Sequence, residues 1–98
     1  MTDIEIAKGT IDGHSVCFCK DGKSFTLDGM GLSPLMRMIN EGKDLHGYSA
    51  ADVVVGKAAA MLFKKLGVVS VHGKLMSETG ADFLEKSGIT FTYDTLTD

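Results

Sequence analysis

The segment Ser49-Ala-Ala-Asp-Val-Val-Val-Gly-Lys-Ala-Ala-Ala-Met-Leu-Phe constrains the fold more than any other part of the chain. Between Ser49 and Lys64 its only charged residues are Asp52 and Lys57. Read as one helix that opens on Ser49, runs to about Leu66 and stops at Gly67, it is apolar around most of its circumference. Such a helix must be covered on more than one side. Lys57, next to Gly56 inside it, then requires a carboxylate partner, a route to solvent or a ligand.

Ninety-eight residues suffice for one domain, residues 1–98. At 44% hydrophobic and 23% charged residues the chain is not disordered. Lys57, Lys64 and Lys65 interrupt the longest apolar run before it reaches the ~18 residues of a membrane span. Met1-Thr-Asp-Ile-Glu-Ile lacks the basic flank and apolar stretch of a signal peptide, so a soluble cytoplasmic protein is expected. A formal charge of −3 with scattered basic residues argues against a nucleic-acid surface. Cys17 and Cys19 lie two apart on a strand, pointing to one face about 7 Å apart, too far to pair with each other. Metal ligation would need two further ligands from His14, His46 and His72, none of which stands in a ligand spacing. Small buried thiols in a reducing compartment are expected, with no metal and no cofactor.

Along the chain, residues 2–12 form a short amphipathic helix capped by Thr2, with a strand over Asp3 to Ala7 as its competitor. Ser15 to Lys20 and Lys23 to Leu27 read as an antiparallel hairpin about Asp21-Gly22. Ser33-Pro34 opens a helix with Ser33 as its cap and Leu35, Met36, Met38 and Ile39 on its core side. Met61 is expected in the core as well, and exposure of Met30 or Met76 would mark an interface. Val68 to His72 is a buried strand extending toward Met76, Ser77 to Lys86 a helix, and Ile89 to Tyr93 a final strand. The strand-helix-strand end implies parallel, right-handed pairing. The expectation is an α/β domain with a mixed sheet of about four strands, an antiparallel hairpin followed by parallel strands, and helices on both faces.

Ala51-Asp-Val-Val-Val-Gly-Lys-Ala-Ala-Ala60 resembles the signature of the bacterial domain of unknown function 1893. The resemblance extends to Lys20-Asp-Gly-Lys23, Gly31-Leu-Ser-Pro-Leu-Met36, Leu66-Gly-Val68 and Gly88-Ile-Thr-Phe-Thr-Tyr-Asp94. It implies a three-layer cytidine-deaminase-like fold and no established activity. Longer relatives carry a tail with a Cys-Pro-Met-Glu type motif after the last strand. This chain ends at Asp98, and functions that need that tail are not expected of it. Zinc deaminases place a ligand and a proton-shuttling Glu at one helix start and Pro-Cys-x-x-Cys at the next. By resemblance Val55 and Lys57 fall on the first motif and Thr79 and Asp82 on the cysteines of the second, so hydrolytic zinc chemistry is not expected.

Lys57 then stands at the former catalytic position, able to offer an ammonium to a phosphate or carboxylate, with Gly56 permitting close approach. Ser49 and Asp52 read as a helix cap whose free amides would also hold an anion. His72, at the end of its strand, reads either as a partly exposed residue closing that strand or as one reaching a cleft with Ser77, Glu78 and Thr79 that the loop residues His46 and Tyr48 would border. The expected function is a zinc-free domain that binds a small anionic or nucleotide-like ligand through Lys57, Gly56, Ser49, Asp52, His72, Glu78 and Thr79. The alternatives are a self-associating or regulatory interaction domain using the last strand, and a metal-free enzyme with Lys57 or a cysteine as nucleophile.

Overall fold

A two-residue turn at Asp21 and Gly22, both at positive φ (53° and 80°), joins β1 (Val16–Lys20) to β2 (Lys23–Leu27) in antiparallel register. The tip is tied to α1 (Asp3–Thr10): Asp3 accepts hydrogen bonds from the Asp21 and Gly22 amides, each at 2.9 Å. The Gly22 amide is the chief reason that the Asp3 carboxyl titrates below its ordinary value. Helix α1 starts with a capping box, in which Thr2 accepts from the Glu5 amide and Glu5 from the Thr2 amide. The helix, and not the competing strand, therefore forms at residues 3–10.

The computed structural model, which describes residues 1–98 throughout, divides the long apolar segment in two. Ser49–Val55 is a strand, β3, and only Lys57–Leu66 is helical, α3, with Gly56 as its N-cap. This corrects the expected single helix, and with it the capping roles of Ser49 and Asp52. The reason is physical. A strand between two others, covered on both faces, shows the same unbroken apolar run as a buried helix. Here the β-branched Val53-Val-Val55 belongs to the sheet, and Gly56 ends the strand. In α3 the buried residues Ala59, Ala60, Phe63 and Leu66 recur at helical spacing, while Lys64 and Lys65 sit favourably in the last turn.

Parallel to β3 runs β4 (Ser70–Ser77), and parallel to β4 runs β5 (Thr90–Thr97). The sheet has five strands, one more than expected, in the order β2-β1-β3-β4-β5. Helix α1 covers one face, with Ala7 and Ile11 packed on Cys17, Cys19 and Ala51. The other face carries α2 (Ser33–Asn40), α3 and α4 (Glu78–Lys86) over a larger core that includes Val16, Phe18, Ala50, Phe63, Val71 and Leu84. Alternation along β3 explains the division: Ala50 faces one layer and Ala51 the other. Phe18 anchors the larger core, stacked on Phe25 at 5.2 Å and edge-on to Phe63 at 6.1 Å.

Helix α2 departs from expectation at its start, where Leu32 occupies the N-cap and Ser33 is already helical. Met38 is buried, but Met36 and Met61 are about half exposed on the solvent sides of α2 and α3, contrary to the core placement. Met76 is fully buried and Met30 almost fully exposed. No helix is long and apolar enough to cross a membrane.

Candidate ligand-binding site

Strand β1 pairs with β3 only as far as Val16 opposite Asp52. Past that point the Val53 amide reaches the Ser15 carbonyl at 3.3 Å, and Val53 and Val54 run on with 40% and 55% of their surface exposed. The space left beside them is a cavity of about 500 Å³ at the carboxyl end of β3. Its walls come from three further segments: His14-Ser15 before β1, the Gly29–Leu32 loop before α2, and Gly56, Ala58 and Ala59 at the start of α3. Open α/β sheets bind ligands at this end of their strands, and the volume is that of a small-molecule site.

Local hydrogen bonds fix the walls. The Ser15 hydroxyl donates to the Gly29 carbonyl at 2.8 Å and accepts from the Gly29 amide at 3.1 Å. Gly29 has φ +153°, and a Cβ there would lie 2.8 Å from the Ser33 hydroxyl, so the loop needs glycine. His14 Nδ1 lies 3.1 Å from Asp28 at the rim, and Arg37 donates to the Asp28 carbonyl.

Asp52 is the one carboxylate lining the cavity. No cation pairs with it, since the four ion pairs join His14 to Asp28, His72 to Asp94, Lys74 to Asp12 and Lys86 to Asp82. Burial among apolar walls raises its pKa from 3.8 to about 7, and the neighbouring Val53 and Val54 amides offset only part of that.

At the next helix start, α4 meets α3. Ser77 caps α4 by accepting from the Gly80 amide at 3.0 Å and lies 3.2 Å from the Thr79 hydroxyl. A Cβ on Gly80 would come within 2.9 Å of the Val55 carbonyl and 3.0 Å of the Gly56 backbone. It is Gly80, then, and not Gly56, that permits the close approach. The structure so brings together Gly56 and Lys57 with Glu78 and Thr79, as two adjoining helix starts. Lys57 is exposed at the first position of α3, between two residues that line the cavity, and needs no buried partner.

Ser49 and His72 lie elsewhere. Ser49 is buried at the opposite end of β3, paired with Cys19 and Ser70, with Tyr48 and His46 beside it. His72 is the third residue of β4 and not its end. It is buried, with Nδ1 2.7 Å from the Thr92 hydroxyl and Nε2 3.3 Å from Asp94. Its partners thus bind β4 to β5, and desolvation lowers its pKa. Both cysteines are buried with thiol pKa values raised, first by desolvation, which leaves them poor nucleophiles.

The family model for the domain of unknown function DUF1893 matches residues 8–97. The chain belongs to the DUF1893 family. A crystal structure of a DUF1893 family protein from Thermotoga maritima superposes with a TM-score of 0.86 and 26% identity, over 97% of this chain and 66% of that one. The chain thus spans just under two thirds of that relative's length. A diaminohydroxyphosphoribosylaminopyrimidine deaminase/5-amino-6-(5-phosphoribosylamino)uracil reductase from the same organism aligns with a TM-score of 0.57 and 17% identity, over 93% of this chain and 34% of that one. At that identity the likeness is one of fold, and the fold is deaminase-like. No curated protein matches the sequence.

A zinc ion would need donors at the α3 and α4 starts, where zinc deaminases place them. Val55 offers only hydrocarbon and Lys57 an ammonium, and nowhere do three His, Cys, Asp or Glu side chains converge. These residues do not fit the metal. Sequence reasoning missed the His14-Ser15 and Gly29–Leu32 walls, which are turn segments with no chemical motif. Gly80 carried a usable signal, because a glycine in the first turn of a helix requires a packing reason.

Proposed function

We propose that this chain is a soluble cytoplasmic domain of a bacterial protein that binds a small nucleotide-like ligand, with its ring in the β3–α3 cavity and its anionic group toward Lys57. The observation that carries this reading is the cavity itself, built from three stretches distant in sequence and rimmed by the start of α3. The start of α3, which has no side-chain cap, supplies the polar edge with Lys57, Glu78 and Thr79. The deaminase-reductase of similar fold is named for a phosphoribosylated aminopyrimidine, a ligand of this size class. Ser49 and His72 have no part in the site proposed.

Titration with cytidine and adenosine 5′-monophosphates, followed by amide NMR shifts of Val53, Val54 and Gly56, tests the reading. Saturable shifts are expected, and Lys57→Met should weaken binding about fivefold, the ~1 kcal/mol of a solvent-exposed ion pair. Unchanged affinity in Lys57→Met would remove the lysine from the site.

A second reading, self-association, is favoured by one observation. Strand β5 is an eight-residue sheet edge without lysine or proline, with Tyr93 and Leu96 over a third exposed. It predicts a dimer in sedimentation that Tyr93→Lys disperses, whereas a monomer at every concentration contradicts it.

A further inference from the structure

The cavity and its one carboxyl restrict the chemistry of what can enter. Apart from Asp52, the lining is backbone, small apolar side chains, the Ser15 hydroxyl and His14. Ser15 is already engaged with Gly29 in both directions, and His14 faces Asp28. Among the lining side chains, the Asp52 carboxyl and the Nε2 of His14 are left for a ligand, and Asp52 is the one with two oxygens to offer. None of its oxygens is sealed away without a partner, so the carboxyl meets the cavity space.

Resting on the ligand-site reading above, we infer that Asp52 is a binding residue that takes the amidine or guanidine edge of a ligand, and that the cavity excludes carboxylates and phosphates. A carboxyl group and an amidine edge pair through two parallel hydrogen bonds in either state of the proton. An ionised Asp52 accepts from two N–H groups of an amidinium. A neutral Asp52 donates its O–H to the imine-type nitrogen and accepts from the adjacent N–H. An anion can only accept: it finds one O–H at a neutral Asp52 and none at an ionised one, which repels it. At an ionised Asp52 it would meet an acid that no cation pairs with, within apolar walls that magnify the repulsion. The cavity is therefore selective for nitrogen donors, and the anionic part of a ligand belongs outside it, at the exposed Lys57.

Benzamidine and benzoate, equal in shape and opposite in charge, test this directly, with 2-aminopyrimidine and unsubstituted pyrimidine as a neutral pair. Amide NMR of Val53, Val54 and Gly56 reports occupancy of the cavity. Benzamidine and 2-aminopyrimidine should give saturable shifts at least tenfold tighter than benzoate and pyrimidine, and Asp52→Leu should abolish that preference. The wild-type comparison holds even if Asp52→Leu fails to fold. Benzoate binding as tightly as benzamidine would overturn the assignment of Asp52 while keeping the cavity as a ligand site. If mononucleotides and all four probes leave the cavity amides unmoved, the site reading falls as well.

Discussion

Asp52 is where binding capacity and folding stability oppose each other. An acid whose pKa rises from 3.8 in the unfolded chain to about 7 in the folded one costs nothing below pH 3.8, where both states hold the proton. The cost grows as pH rises between those values and is constant above about 7. A tenfold change in an ionisation constant is worth about 1.4 kcal/mol, which bounds the cost near 4 kcal/mol, and solvent screening of the partly exposed carboxyl lowers it to about 2 kcal/mol. Asp52→Asn is thus expected to stabilise the protein by about 2 kcal/mol at pH 8 and by almost nothing at pH 3.5. Urea unfolding of both proteins across this range checks it, and a pH-independent difference would place the carboxyl in water. Lys57, by contrast, stands exposed at a helix start, where replacing it should leave stability nearly unchanged and act only on ligand affinity.

Among the elements, the junction of α3 and α4 governs the geometry of the site. Gly80 presses on the Val55 carbonyl and the Gly56 backbone, so an alanine there must push the two helix starts apart. Gly80→Ala should destabilise the fold by about 1–3 kcal/mol, the range for overpacking a close contact, and shift the Gly56 amide resonance. Thermal unfolding with the NMR spectrum of the variant tests both, and a variant as stable as wild type would mean that the helices separate freely. Elements with strong local chemistry were legible in the sequence: the Asp21-Gly22 hairpin, the Thr2 cap of α1, the Ser77 start of α4, and the alternating β5. The 49–66 segment was not, because its unbroken run of small and apolar residues, exposed Val53 and Val54 included, hides the period that tells a strand from a helix. That one misreading made a helix cap of Ser49 and Asp52, the first and fourth residues of a strand, and made a lysine at a helix start look buried. The approach of Gly56 and Lys57 to Glu78 and Thr79 does not depend on it, since the close contact of Gly80 with the Gly56 backbone sets the α4 start against the α3 start.

On the scale of the whole molecule, the DUF1893 chain keeps the layers of a deaminase-like fold without the donors that a zinc ion needs. What remains at the carboxyl end of the sheet is an apolar cavity with a single acid inside and a single exposed lysine at the adjoining helix start. The cavity walls were hidden from the sequence because they unite segments from residue 14 to residue 59 through turns and strand ends, and only the sheet order brings these together. The central claim is that this space exists to hold a ligand. Native mass spectra of freshly purified protein, recorded beside denatured spectra, test it most directly. The account predicts an added mass under native conditions that disappears on denaturation and is missing from Ala58→Phe, which fills the cavity from an exposed helical position. An added mass that persists in Ala58→Phe, or bare protein in every preparation, would contradict it.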